Sequence, residues 1–159
     1  MTIIRSATRQ IAFSIVLATA AVQAWAADPP ARNIAQEERN RSLVIDFYDR
    51  FFNRHEVDQA AEVVAEDYVQ HNPFVADGKS PFVSFFKKTF AENPASKATI
   101  VRSATDGDLV YLHVHHQRNA DDRGRAGVDI FRVQDGKIVE HWDVNQTIPE
   151  TAANQNGMF

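Results

Sequence analysis

Cysteine is absent from the 159 residues. That removes disulfides, thiolate metal ligands and a cysteine nucleophile, so in an oxidising compartment the fold must rest on packing alone. No G-x-S-x-G, P-loop or G-x-G-x-x-G pattern occurs. Serine hydrolase, nucleotide hydrolase and Rossmann readings therefore have no local support, although catalytic groups can lie far apart in sequence. Positive charge is not in excess either: the formal net charge is −4. Internal repeats and low-complexity blocks are missing, and glycine and proline are sparse at 6 each.

With 44% hydrophobic residues in 159, the chain is long enough for one domain with a real core. Residues 1–26 carry Arg5 and Arg9 and no acid, then the run IAFSIVLATAAV from Ile11 to Val22, then Ala24-Trp25-Ala26. This order fits a secretory signal cut after Ala26. The run is short for a membrane span, which needs about 20 residues; an uncleaved anchor is the alternative. A secreted or periplasmic location with no stable membrane association after cleavage is the expectation. Loss of Arg5 and Arg9 takes the formal charge from −4 to −6. An acidic domain without a basic surface is not suited to nucleic acid.

After a linker at 27–33, helical periodicity comes first. Leu43, Val44, Phe47, Tyr48 and Phe51 recur at 3.6-residue spacing and predict an amphipathic helix over 34–53. A shorter helix places Val57, Ala60, Ala61 and Val64 on one face. The segment YVQHNPF, 68–74, meets Pro73 and reads as a brief strand entering a loop. Ser80-Pro81 resembles an N-cap and first helical position. Phe82, Phe85, Phe86 and Phe90 follow at helical spacing, most simply as core, and Asn93-Pro94 ends that helix.

From Lys97 the pattern becomes short strands, near 97–105, 108–118, 127–134 and 137–146. Asp106-Gly107 and Asp135-Gly136 supply hairpin signals between them. The stretch RNADDRGRAG, 118–127, reads as a solvated connection or a pocket cover. The tail at 148–159 lacks periodicity. Three helices followed by an antiparallel meander make an α+β domain over 34–147, a curved sheet wrapped around helices.

The run VDIFRVQDGKIVEHWDVNQ at 128–146, with YVQHNP at 68–73, resembles the SnoaL-like branch of the nuclear transport factor 2-like superfamily, which includes polyketide cyclases and ketosteroid isomerases. The resemblance implies a cone-shaped α+β barrel with a deep apolar pocket, three N-terminal helices wrapped by a mainly antiparallel sheet. It does not imply one reaction, because a fold hosts many functions.

The residues supply the chemistry. Strand alternation puts Asp129, Phe131 and Val133 on one face of VDIFRV. An acid on an apolar face that lines a pocket is expected to have a raised pKa and to serve as an acid/base group; the alternative is a strand-pairing aspartate. By resemblance Asp129 also matches the aspartate that donates a hydrogen bond to an oxyanion in the isomerases, a neutral-carboxylic-acid role. Where the isomerases carry a general-base aspartate, this chain has Asn72, and an amide cannot take up a proton.

His71 stands beside Asn72 and suits general acid/base work. Adjacent strand residues face opposite ways, so one of the two is expected in the cavity unless the chain turns there. In IVEHWDVNQ, His141, Asp143 and Asn145 share a face, and the resemblance makes it the pocket face. His141 is then tuned by Asp143, two residues away, while Trp142 faces outward, where the superfamily often dimerises. A structural His141 is the alternative.

The stretch LHVHH sorts by parity: His116 joins Val110, Leu112 and Val114 on the more apolar face, and His113 and His115 point outward. A one-residue bulge would reverse this assignment. His113 and His115 form a two-residue candidate for a divalent metal, fewer than the usual catalytic zinc set.

The leading expectation is a cofactor-independent enzyme acting on a small apolar carbonyl compound by proton transfer. Its catalytic candidates are Asp129, His71 and His141. Asn72, Asp143, Asn145, Phe131 and His116 would bind substrate. A non-catalytic periplasmic ligand-binding or accessory domain, and a metal-assisted lyase or hydrolase, are the alternatives. A homodimer is expected from the resemblance.

Overall fold

The computed structural model describes residues 31–159. The secretory segment expected over 1–26 lies outside the described residues, as does most of the linker. Helix α1 runs Ile34–Phe52. Its N-cap Asn33 accepts the Gln36 N–H at 3.1 Å, satisfying one of the donors a helix start leaves open. Its buried stripe includes Val44, Phe47, Tyr48 and Phe51. No helix among the described residues is long and apolar enough to cross a membrane.

Helix α2, Val57–Ala60, passes into a 3-10 turn at Ala61–Val63 and then strand β1, Val64–Gln70. The strand starts earlier than the expected 68, and Val64, expected on the helix face, pairs with Ile138 instead. A β-branched residue suits that extended position. Helix α3 spans Lys79–Glu92, and its N-cap is Gly78 at φ 93 rather than Ser80. Glycine has no Cβ penalty in that conformation. Pro81 stays in the first turn, where its missing N–H has no intrahelical acceptor to lose.

Strands β2 (Lys97–Asp106), β3 (Leu109–Gln117), β4 (Arg125–Gln134) and β5 (Lys137–Thr147) complete the domain. They form a sheet of 5 strands in the order β1-β5-β4-β3-β2. The pairs are antiparallel except β1 with β5, which are parallel. The sheet is curved and open, with β1 and β2 as its edges. Asp135 at φ 49 and Gly136 at φ 74 make the second hairpin turn as expected. The first turn sits one residue later than Asp106-Gly107. Asp106 pairs with Leu109, so Gly107 at φ 61 and Asp108 occupy the turn, because the left-handed position favours glycine.

Two bulges set which side chains face inward. In β2 the register shifts between Ile100 and Arg102, leaving Val101 unpaired. In β5 the shift falls between Ile138, opposite Val133, and Glu140, opposite Arg132. The extra residue is Val139, so Ile138 enters the core and His141 also faces inward although strict alternation would separate them. Strand β3 pairs with β4 from Leu109 to His116 without a break. The parity that turns His116 inward therefore holds.

Aromatic rings join the helices. Phe51, fully buried, stacks on Phe82 with centroids 4.8 Å apart and meets Phe47 at 5.1 Å and Phe86 at 5.3 Å. Phe51→Ala should destabilise the domain by about 3–5 kcal/mol, read as a lowered urea midpoint; a cost below ~1 kcal/mol would mean this cluster does not hold α1 to α3.

Candidate active site

Alternation along β4 turns Arg125, Gly127, Asp129 and Phe131 to the concave side, and register brings neighbouring strands into line with them. Phe131 pairs with His141, Asp129 with Asp143, and Gly127 with Asn145; Gln70 of β1 pairs with His141. A Cβ at Gly127 would lie 2.8 Å from Asn145 Oδ1 and 3.1 Å from His116 Nε2. The missing side chain thus leaves room for both.

These residues border a cavity of about 600 Å³ between the sheet and α3. One wall is aromatic. Phe82, Phe85, Phe86 and Phe90 all line the cavity; Phe82 and Phe90 are also buried in the core, while Phe85 is 40% exposed. Helical spacing does not distinguish a core stripe from a cavity wall.

At the polar end Asp129 is almost fully buried, with 5% exposure. Its Oδ2 accepts the Tyr48 hydroxyl at 2.8 Å, and its Oδ1 lies 3.1 Å from His141 Nε2. His116 Nε2 lies 3.6 Å from Oδ2 and 3.3 Å from the Tyr48 oxygen. Burial pushes the Asp129 carboxyl up, as the apolar face predicts, but hydrogen bonds and charge from His116 and His141 outweigh it and hold it below the usual carboxylate range. The expected raised pKa is thereby corrected. Burial, reinforced by Asp129, pushes the Tyr48 phenol well above its usual range, so it stays a donor.

Proton accounting follows from Gln70. Its Oε1 accepts the Asn72 N–H at 2.9 Å and lies 2.9 Å from His141 Nδ1. An acceptor oxygen there requires that Nδ1 carry a hydrogen. Hydrogen on Nδ1 leaves Nε2 facing Asp129 Oδ1 at 3.1 Å, where the ionised carboxylate is the acceptor. The partner of His141 is Asp129 on the next strand, not Asp143 as expected from the two-residue spacing. Asp143 accepts the Asn72 amide at 3.0 and 2.7 Å and the Asn145 amide at 3.1 Å.

His71 does not enter the cavity. The chain turns at Asn72-Pro73, and His71 stands exposed on the outer side, 2.8 Å from Glu140 and stacked on Trp142 at 4.7 Å. Asn72 is the member of that pair that lines the cavity. The outward histidines do not build a metal site either. His113 Nδ1 meets Arg102 at 2.9 Å, His115 Nε2 meets the Arg123 carbonyl at 2.7 Å, and both rings pack on Phe159. The one cluster of three or more potential ligands among the described residues is Asp129, His141 and Asp143, whose donor atoms lie within 4.8 Å of one another. A divalent cation there would compete with the hydrogen bond between His141 and Asp129.

The SnoaL-like domain family matches residues 44–141, more than half of the chain. The chain belongs to this family. Among solved structures, this SnoaL-like chain is similar to a candidate ketosteroid isomerase from Kribbella flavida, with 22% identity over 76% of this chain and 87% of that one and a TM-score of 0.62. It is also similar to IdmH, a candidate polyketide cyclase from Streptomyces antibioticus, with 22% identity, 67% and 91% coverage and a TM-score of 0.56. A third is a nuclear transport factor 2-like protein of unknown function from Mesorhizobium loti, with 25% identity, 70% and 93% coverage and a TM-score of 0.59. No curated protein matches in sequence. The cone fold of the nuclear transport factor 2-like superfamily is thus established for this SnoaL-like protein.

Two site residues escaped the sequence reading. Tyr48 reads as one more ring in the α1 stripe, and its only signal is that a buried phenol needs a hydrogen-bond partner. Gln70 precedes His71 on the strand and faces in because His71 faces out. Because the His116 and His141 side chains hold the Asp129 carboxyl below the usual carboxylate range, its ionised form favours the native state above about pH 4, and that contribution fades as pH falls through the lower folded pKa. Asp129→Asn should therefore cost about 1–3 kcal/mol at pH 7, with the gap to the parent narrowing below about pH 4. Urea midpoints across pH test this; a gap that widens in acid contradicts it.

Proposed function

We propose that this SnoaL-like protein is a cofactor-independent enzyme that moves protons on a small apolar carbonyl compound, in an aldol-condensation, cyclisation or isomerisation. The observation that supports this reading is the hydrogen-bonded Asp129–His141 pair at the buried end of an aromatic-walled cavity. A proton donor fixed in a water-poor site needs little reorganisation when charge develops on a carbonyl oxygen.

In this reading, Asp143 takes the proton from the carbon beside the carbonyl, and His141 Nε2 gives a hydrogen bond or its proton to the oxygen. Return of the Asp143 proton to carbon, and of the oxygen proton to His141, closes the cycle. Asp129 is almost fully buried behind Tyr48 and His141, whereas Asp143 is half-buried, so Asp129 acts through His141 as a positioning residue. Asn72 and Asn145 orient Asp143. Phe131, against the His141 ring at 4.6 Å, bounds the site. We also propose that the outer sheet face, where Val128 is 38% and Val144 71% exposed, meets a second copy of the chain.

A ligand-binding role without turnover is the second reading, supported by both His141 nitrogens being already hydrogen-bonded. Hydrogen–deuterium exchange beside the carbonyl of small aryl ketones, followed by NMR in D2O, separates the two. The parent should accelerate exchange, Asp129→Asn and His141→Gln should slow it by about 10²-fold with the circular dichroism unchanged, and His71→Ala should retain it. With Asp129→Asn the pH profile of the exchange should also shift, which loss of packing alone would not cause. Tight ketone binding with no exchange would sink the catalytic reading.

A further inference from the structure

The cavity mouth has two unlike sides. One is aromatic and includes Phe74, 82% exposed, and Phe85. The other is built by the start of β2, the end of β3 and the connection into β4, and it carries Lys97, Arg118, Asp122 and Arg125.

The charges on this side do not cancel. Arg118 is bound to Asp122 at 2.9 Å. Deeper in, Asp129 is hydrogen-bonded to His141, and Asp143 keeps its negative charge while accepting from the Asn72 and Asn145 amides. Arg125 and Lys97 form no ion pair among the described residues, within 4.0 Å of a carboxylate oxygen. Of the two, Arg125 lies in the row that leads to the site. It opens β4 on the inward parity of Gly127, Asp129 and Phe131, pairs with His116 across β3, and its charge is felt at the Tyr48 hydroxyl. Asp129 lies four positions further along β4, about 13 Å between backbones, and at Gly127 between them the Asn145 amide and the His116 ring occupy the floor. The chain as a whole is acidic, at −4, so a cation at the mouth is a local feature.

We propose that the ligand of this cavity is an organic monoanion, an apolar carbonyl compound whose carboxylate is held by the Arg125 guanidinium while its apolar body lies on the α3 aromatic wall. Guanidinium suits this because its planar fork matches a carboxylate with two parallel hydrogen bonds. The inference rests on the proposed proton-transfer chemistry for the carbonyl, whereas the anion requirement rests on Arg125.

The test uses 4-oxo-4-phenylbutanoate and its methyl ester, which share the aryl ketone and differ in charge. Titration calorimetry on the full chain without residues 1–26 should show the acid binding at least ~10-fold tighter than the ester, a difference of the size of a charge-assisted hydrogen bond. Arg125→Gln should bring the two affinities together by weakening the acid alone, and Arg125→Lys should retain part of the preference. Asp129→Asn should keep the preference, so failed turnover and failed anion recognition give different results. Equal affinities in the parent, a preference that survives Arg125→Gln, an equal loss in Lys97→Gln, or no binding of the acid would each overturn the proposal.

Discussion

A carboxylate with 5% exposure cannot remain ionised inside an aromatic cone unless cationic or donor groups surround it. The hydrogen bond from His141 Nε2 to Asp129 Oδ1, at 3.1 Å, meets that demand, and much of the local architecture exists to make it. Strand β5 must bulge at Val139 for His141 to face inward while Ile138 stays in the core. Strand β1 must run parallel to β5 so that Gln70 reaches the far nitrogen of the ring. Helix α1 must present Tyr48 rather than another phenylalanine at the second carboxylate oxygen. No buried side-chain polar atom among the described residues lacks a partner, which is what a charged cluster in a dry interior requires.

Around this polar end, the aromatic packing does two jobs with one set of residues. Phe51 and Phe82 bind the helices together, and Phe82, with Phe85, Phe86 and Phe90 of the same helix, also walls the cavity. The mouth then takes its character from the ends of elements and the loops beside them, with Lys97 opening β2, Arg125 opening β4 and Phe74 in the loop after β1, where polar and cationic groups need no internal partner.

Period-2 alternation grouped Asp129 with Phe131, His141 with Asp143 and Asn145, and His116 with the apolar side of its strand, while the resemblance chose the His141 face as the inner one. Alternation also required that only one of His71 and Asn72 enter the cavity, and Asn72 does. The catalytic role expected of His71 does not fit, because nothing along the chain says which of two adjacent residues faces in. The pairing of His141 with Asp129 rather than Asp143 depends on cross-strand register. The Asp129 pKa depends on it too: an apolar neighbourhood along the chain signals desolvation, but the opposing imidazoles come from β3 and β5.

Composition and periodicity by themselves determined that the described chain is an α+β domain and which residues share a face of each element. These properties are local, set by the spacing of apolar side chains along each element. Tertiary structure alone decided that Tyr48 and Gln70 complete the cluster, that His71 stands outside it, and that His141 pairs with Asp129. Hydrogen bonds of 2.8 to 3.1 Å form only between groups whose distance is fixed in space, and spacing along one strand does not encode the position of the next.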